Sequence, residues 1–156
     1  MSEILGTLFK YLMMLLGVAA VVYILYQVLG SNKISQTVSD ITQMQSNVSS
    51  LYAGQSSYAS LTTAVAITAS AVPTDMNPGS GTPTDVWGGP VTLGPDANPQ
   101  WFDISLGDVP QSDCTKIAGS IGGYKALNSQ PGPLNPAQVE AACGAGTNTM
   151  VFAFGQ

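Results

Sequence analysis

The residues of this chain best able to do chemistry are nine carboxylic acids and two cysteines, set against four lysines and no histidine. General acid–base catalysis needs a proton carrier tuned near neutral pH or a converging pair of carboxyls. Asp75, Asp85, Asp96, Asp103, Asp108 and Asp113 are instead scattered through stretches rich in Pro, Gly and Asn, where short acids serve turns and caps. Without histidine there is no Ser–His or Cys–His nucleophile pair and no imidazole metal ligand. Asp96, Asn98 and Asp103 come nearest to a calcium loop but lack its spacing. Gly88-Gly89 and Gly122-Gly123 lack the strand–loop–helix frame of a phosphate loop. The expectation is a protein that is not an enzyme, with no catalytic site, no metal and no cofactor.

Cys114 and Cys143 each sit in a segment of short-helix character, at a separation that suits neither a zinc set nor a redox pair. In an exported domain they would form one disulfide, closing a loop of about thirty residues and contributing roughly 3–4 kcal/mol. The alternative is two reduced, buried thiols in a cytosolic protein. Glu3 and Lys10 are the other notable pair. Seven residues separate them, so they share a helix face but differ in height by about 10 Å. That is too far to pair within one chain. A neighbouring copy shifted by that rise would bring Glu3 against Lys10; otherwise each snorkels to an opposite membrane surface. A net charge of -5 with so few cations excludes a nucleic-acid-binding patch.

The elements that carry these residues begin with an almost unbroken apolar run from Ile4 to Leu29. Its span of about 26 residues makes a helix roughly 39 Å long, enough to cross a hydrocarbon core of roughly 30 Å. The acidic start Met1-Ser2-Glu3 and the length of the run argue against a cleavable secretory signal. Leu5, Leu8, Phe9, Leu12, Leu15, Leu16, Val22 and Ile24 are the packing residues expected of this helix. Gly17 and Gly30 are where it would loosen or bend. Beyond Gly30 the steps Ile34, Val38, Ile41, Met44, Val48 and Leu51 mark one apolar stripe, with Ser35, Thr37, Asp40, Thr42, Gln43, Ser46 and Asn47 opposite. The organisation expected is an apolar helix over 1–30, its amphipathic continuation over 31–54, and a head over 55–156.

Within the head the sequence predicts a weak helix over Ala59–Ala71, then a loop, then a hairpin pairing Val86-Trp87 with Pro90–Leu93 across Gly88-Gly89. Trp101–Leu106 alternates as a strand with Phe102, Ile104 and Leu106 on one face. Asp108 reads as the cap of a helix holding Cys114 and Ile117 and ending near Gly119. Asn135-Pro136-Ala137-Gln138 starts a further helix running to Cys143, with Gly144 as a left-handed terminator. A last strand, Thr147–Phe154, places Met150, Phe152 and Phe154 together. The head is therefore α+β, an antiparallel sheet with short helices and a C-terminal disulfide.

Three stretches carry a resemblance: Trp87-Gly88-Gly89-Pro90-Val91-Thr92; Phe102-Asp103-Ile104-Ser105 followed by Val109-Pro110-Gln111-Ser112-Asp113-Cys114; and Cys143 followed by Val151-Phe152-Ala153-Phe154-Gly155. With the order of apolar helix, amphipathic helix and head, they make the chain resemble a type IV pilin of the type IVb branch. That branch includes toxin-coregulated pilins and the thin-pilus pilins of conjugative plasmids. The resemblance implies the major subunit of a surface filament for attachment, aggregation or conjugation. It implies an inner-membrane stage, a prepilin peptidase, methylation of the new N-terminus at Met1, an assembly ATPase and a platform protein. Such pilins carry Glu at the fifth mature position, whereas this chain has Leu5 with Glu3 nearby. The numbering is expected to begin at the processed residue, in preference to a cut after Gly6. The alternatives are a single-pass membrane-anchored ligand-binding protein and a pseudopilin of a secretion system.

Overall fold

The computed structural model describes residues 1–77, 79 and 81–155, without the surroundings of Gly30. The chain divides into two compact units, Met1–Ser35 and Gln36–Gln156. A single helix, α1 (Ser2–Leu51), runs through 50 residues. Its first half is helical because Leu, Met and Ala lose little on entering a helix and no Pro interrupts them. Glu3 in the first turn complements the helix dipole, and the Thr7 hydroxyl donates back to the Glu3 carbonyl at 2.8 Å. The helix is continuous through Gly17, where an added Cβ would meet nothing within 4 Å. The loosening expected at Gly30 lies outside the described residues.

The second unit is built on a five-stranded antiparallel sheet in the order β1-β2-β5-β3-β4. The strands are β1 (Val91–Pro95), β2 (Trp101–Pro110), β3 (Ala126–Leu127), β4 (Gln130–Pro131) and β5 (Thr147–Gly155). β2 and β5 form the centre, with Phe102 opposite Phe154, Ile104 opposite Phe152 and Leu106 opposite Met150. All six of these side chains are fully buried, as the period-two pattern of the two strands requires. Ile41, Met44 and Val48 of α1 are also fully excluded from solvent. A chain of rings runs through this core from Tyr52 to Tyr58, Phe102, Phe154, Phe152 and Tyr124, each step between 4.8 and 6.1 Å.

Several local expectations give way to tertiary demands. Thr37 and Asp40, which the stripe puts on the solvent side, are buried at 0% and 6% exposure, while Leu51 is exposed. The buried face of α1 is thus turned by about one residue, to 37, 40, 41, 44 and 48. The helix expected over Ala59–Ala71 shrinks to α2 (Thr63–Thr68), because the Thr62 hydroxyl caps Val65 N–H and Ser70 takes a positive φ of 56°. Val86-Trp87 is not a strand. Asp85 Oδ1 accepts from the N–H groups of Trp87 and Gly89 at 2.9 Å each, folding 85–89 into one turn. β1 pairs with β2 instead.

Asp108 does not cap a helix. β2 carries on past it through a bulge between Leu106 and Val109, with Asp108 at φ 52°, and pairs Pro110 with Thr147. The helix α3 (Gln111–Ser120) therefore starts two residues later, with Pro110 as a cap that offers no side-chain bond. The helix α4 (Pro136–Ala142) forms with its full capping box: Asn135 accepts from Gln138 N–H and Gln138 accepts from Asn135 N–H. Beyond its C-cap Cys143, the left-handed glycine is Gly146 (φ 90°) rather than Gly144.

Candidate functional site

Every large apolar side chain of Met1–Ser35 between Met1 and Leu29 stands exposed, from 50% at Val28 to 101% at Met1. Leu5, Leu8, Phe9, Leu12, Leu15, Leu16, Val22 and Ile24 are all among them. A soluble protein rarely leaves a contiguous apolar surface of this kind without a partner. The helix carrying it is long and apolar enough to cross a membrane. Glu3 and Lys10 are exposed on the same helix, and Met1, just before it, is exposed too. Glu3 contributes with Ile4, Thr7, Leu8 and Tyr11 to one shallow surface.

In the second unit, Cys114 of α3 and Cys143 at the end of α4 form a disulfide with Cα atoms 5.9 Å apart, and both are fully buried. The bond clamps α3 to α4, and Gln111 Nε2 adds a hydrogen bond to the Cys143 carbonyl at 3.2 Å. Between these helices lies an open groove of about 420 Å³ lined by Gln111, Ser112, Thr115, Pro136 and Glu140. Trp87 Nε1 donates to Asp113 Oδ2 at 3.1 Å, tying the 85–89 turn to the first turn of α3. A second groove of about 530 Å³ runs between the end of α1 and α2, lined by Leu51, Tyr52, Gln55, Ser60, Ala64, Val65, Thr68 and Ala69.

Two positioning residues escape sequence inspection. Thr63 sits against the outer edge of β1, its hydroxyl accepting from Leu93 N–H at 3.0 Å and donating to Leu93 C=O at 3.2 Å. It shields an edge that would otherwise be open to strand addition. Asn128, at φ 48°, turns the β3–β4 hairpin and bonds both β5 and the end of α4. A faint signal for it exists in Asn128-Ser129, two polar residues between short runs of strand character. Nothing in the Thr63 segment announces its partner thirty residues away.

Among the described residues no three of His, Cys, Asp or Glu are grouped to hold a metal ion. The two grooves present hydroxyls, amides and one carboxylate, Glu140, rather than a nucleophile with a base.

The family model described as PilS N terminal matches residues 31–154. Among solved structures the chain is similar to a type IVb pilin from Salmonella typhi. The TM-score is 0.59 at 25% identity, covering 78% of this chain and 99% of that one. It is also similar in fold to TcpA, a type IV pilin from Vibrio cholerae El Tor biotype, with a TM-score of 0.55 at 16% identity. That match covers 80% of this chain and 99% of the other. No match is found among curated proteins. A long N-terminal helix, an antiparallel sheet and the Cys114–Cys143 staple are together the type IVb pilin fold, that of a structural subunit and not an enzyme. The chain belongs to the PilS family, matched along all but its first helical half and its last two residues.

Proposed function

We propose that this chain is the major structural subunit of a type IVb-like pilus, polymerising through the first half of α1 into a surface filament for attachment, aggregation or conjugative mating. The observation that carries this reading is the uncovered apolar surface of Ile4–Leu29 on a helix otherwise ready-made. A helix of that composition is equally stable in lipid and among copies of itself, so it can serve as an inner-membrane anchor first and a filament core afterwards. The partners this requires are a prepilin peptidase, an assembly ATPase and a platform protein, with Met1 as the processed and methylated residue. Leu5, Leu8, Phe9, Leu12, Leu15, Leu16, Val22 and Ile24 are the side chains that would interdigitate.

Within such a bundle Glu3 of one copy meets Lys10 of another displaced by about 10 Å along the axis. Either charge alone in an apolar core is costly, and the pair satisfies both. Gly17 and Gly30 each weaken a helix by about 1 kcal/mol relative to Ala, and α1 would unwind near one of them when copies pack. The division of labour proposed is anchor and core over 1–30, amphipathic cover over 31–54 and exposed head over 55–156.

Electron microscopy of material sheared from the cell surface tests this, with mass spectrometry of the N-terminus on the same fraction. Long filaments built of this chain and a methylated Met1 are expected. Protein recovered only in the membrane fraction would overturn it in favour of a single-pass binding protein or a pseudopilin.

A further inference from the structure

Among the described residues of the second unit, three carboxyl oxygens are buried without a hydrogen-bond partner: Asp40 Oδ2, Asp85 Oδ2 and Asp103 Oδ1. They belong to three separate places, the second half of α1, the 85–89 turn and the middle of β2. In each place the neighbouring charge is another carboxyl: Asp75 beside Asp40, Asp108 beside Asp85, and Asp96 beside Asp103. Burial and a like charge both oppose ionisation. A buried anion with no partner is among the costliest things a fold can contain. One such site would be an accident of packing; three in a unit, Gln36–Gln156, with two lysines, Lys116 and Lys125, form a pattern.

The surroundings of each are specific. Asp40 is 6% exposed, and Asp75 faces it from the loop after α2, held there by Gln36 Nε2 on its Oδ2 at 2.7 Å. Asp85 is 7% exposed; its Oδ1 is committed to two turn N–H groups, and Oδ2 is left over. Asp108 approaches it from the β2 bulge, while Asp113 of α3 is engaged by Trp87. Asp103 faces Asp96 of the β1–β2 loop, and its strand partners Gly94 and Ala153 are uncharged. Among the described residues none of these pairs gains a third ligand suited to a metal. A proton is the positive charge that can neutralise such a pair without further ligands.

We propose that Asp40, Asp85 and Asp103, each buried beside a second carboxyl, are proton-binding sites, so that the Gln36–Gln156 unit takes up protons and gains stability as its surroundings pass from neutral to mildly acidic. The direction follows from linkage. Burial first, and then the Asp75 charge, lifts Asp40 from 3.8 to about 6. Burial first, then the charge and hydrogen bond of Asp96, lifts Asp103 from 3.8 to about 6. Burial also raises Asp85, against the pull of its backbone N–H partners and with help from Asp108. Groups raised in the fold contribute stability that is complete below the unfolded value near 3.8 and is lost as pH rises through about 6. The proposal does not depend on whether the chain polymerises.

The test is thermal unfolding of the full chain in detergent micelles, followed by near-ultraviolet circular dichroism between about pH 4.5 and 7.5. The midpoint at the acidic end should exceed that at the neutral end by about 5 °C or more. Asp40→Asn and Asp103→Asn, which mimic the protonated carboxyl, should each raise the neutral midpoint and narrow the gap. A midpoint that is flat or falls on acidification overturns the proposal. So does calcium at about pH 7.5 reproducing the acid effect, which would make the sites cation sites. Carboxyl 13C titration of the unmodified chain decides the matter if a variant misfolds: at least two aspartates titrating near 6 support it, and all below about 4.5 refute it.

Discussion

Asn128 and Val151 hydrogen-bond each other twice: Asn128 N–H donates to the Val151 carbonyl at 2.9 Å, and Val151 N–H donates to Asn128 Oδ1 at 2.8 Å. The same side chain donates through Nδ2 to the Ala142 carbonyl at the end of α4, at 3.0 Å. One residue thus joins the β3–β4 turn to the central strand and to the helix that ends at Cys143. Asn128→Ala removes both side-chain bonds and places a residue ill-suited to φ 48°, so a loss of about 2–3 kcal/mol is expected in urea unfolding. Asn128→Gly keeps the backbone conformation free of strain and should fall between the two.

The Cys114–Cys143 bond closes 29 residues of sequence separation around α3, the β3–β4 hairpin and α4. Loop-closure entropy puts its loss at about 3–4 kcal/mol. A Cys114→Ser, Cys143→Ser variant and the wild-type chain in strong reductant should show the same lowered midpoint in thermal unfolding. A variant much less stable than the reduced wild type would point to buried hydroxyls rather than the lost tether.

Gly89 and Gly107 pass so closely that a Cβ on Gly89 would collide with the Gly107 carbonyl, and one on Gly107 would meet Pro90 Cδ at 2.5 Å. Both obstacles are stiff, backbone in one case and a proline ring in the other. Gly89→Ala should destabilise by about 2 kcal/mol or more. Gly94→Ala, in β1 with nothing within 4 Å of the added carbon, should change stability by less than about 1 kcal/mol. Equilibrium denaturation of the two variants side by side checks the contrast.

Thr63→Val keeps the shape of the side chain but leaves Leu93 N–H and C=O unpaired at the edge of the sheet. The cost expected is about 1–3 kcal/mol, with faster hydrogen exchange at the Leu93 amide as the diagnostic reading. Exchange confined to the α2 amides would assign Thr63 to its own helix alone.

For the filament reading, Glu3→Lys and Lys10→Glu should each reduce surface filaments by about tenfold or more, and the double reversal should restore them. Quantitative immunoblotting of sheared material provides the count. Restoration fails if the two residues serve opposite membrane surfaces rather than each other.

What the amino-acid order determined by itself is whatever a residue settles with its near neighbours. The apolar run Ile4–Leu29 made a helix in want of a cover because its side chains are apolar all round. Asn135, Pro136 and Gln138 closed a capping box within one turn. Alternation in Thr147–Phe154 chose the buried face of β5 because successive side chains point to opposite sides. Tertiary structure decided the rest. Asp108 has the composition of a helix cap, yet pairing of Val109 and Pro110 with β5 drew it into a bulge. Thr37 and Asp40 read as solvent residues, yet packing within the Gln36–Gln156 unit buried them. Thr63 found Leu93, and Asp40 found Asp75, only when distant segments were brought together. Such contacts are decided by the competition of whole surfaces for burial, which no window of a few residues contains.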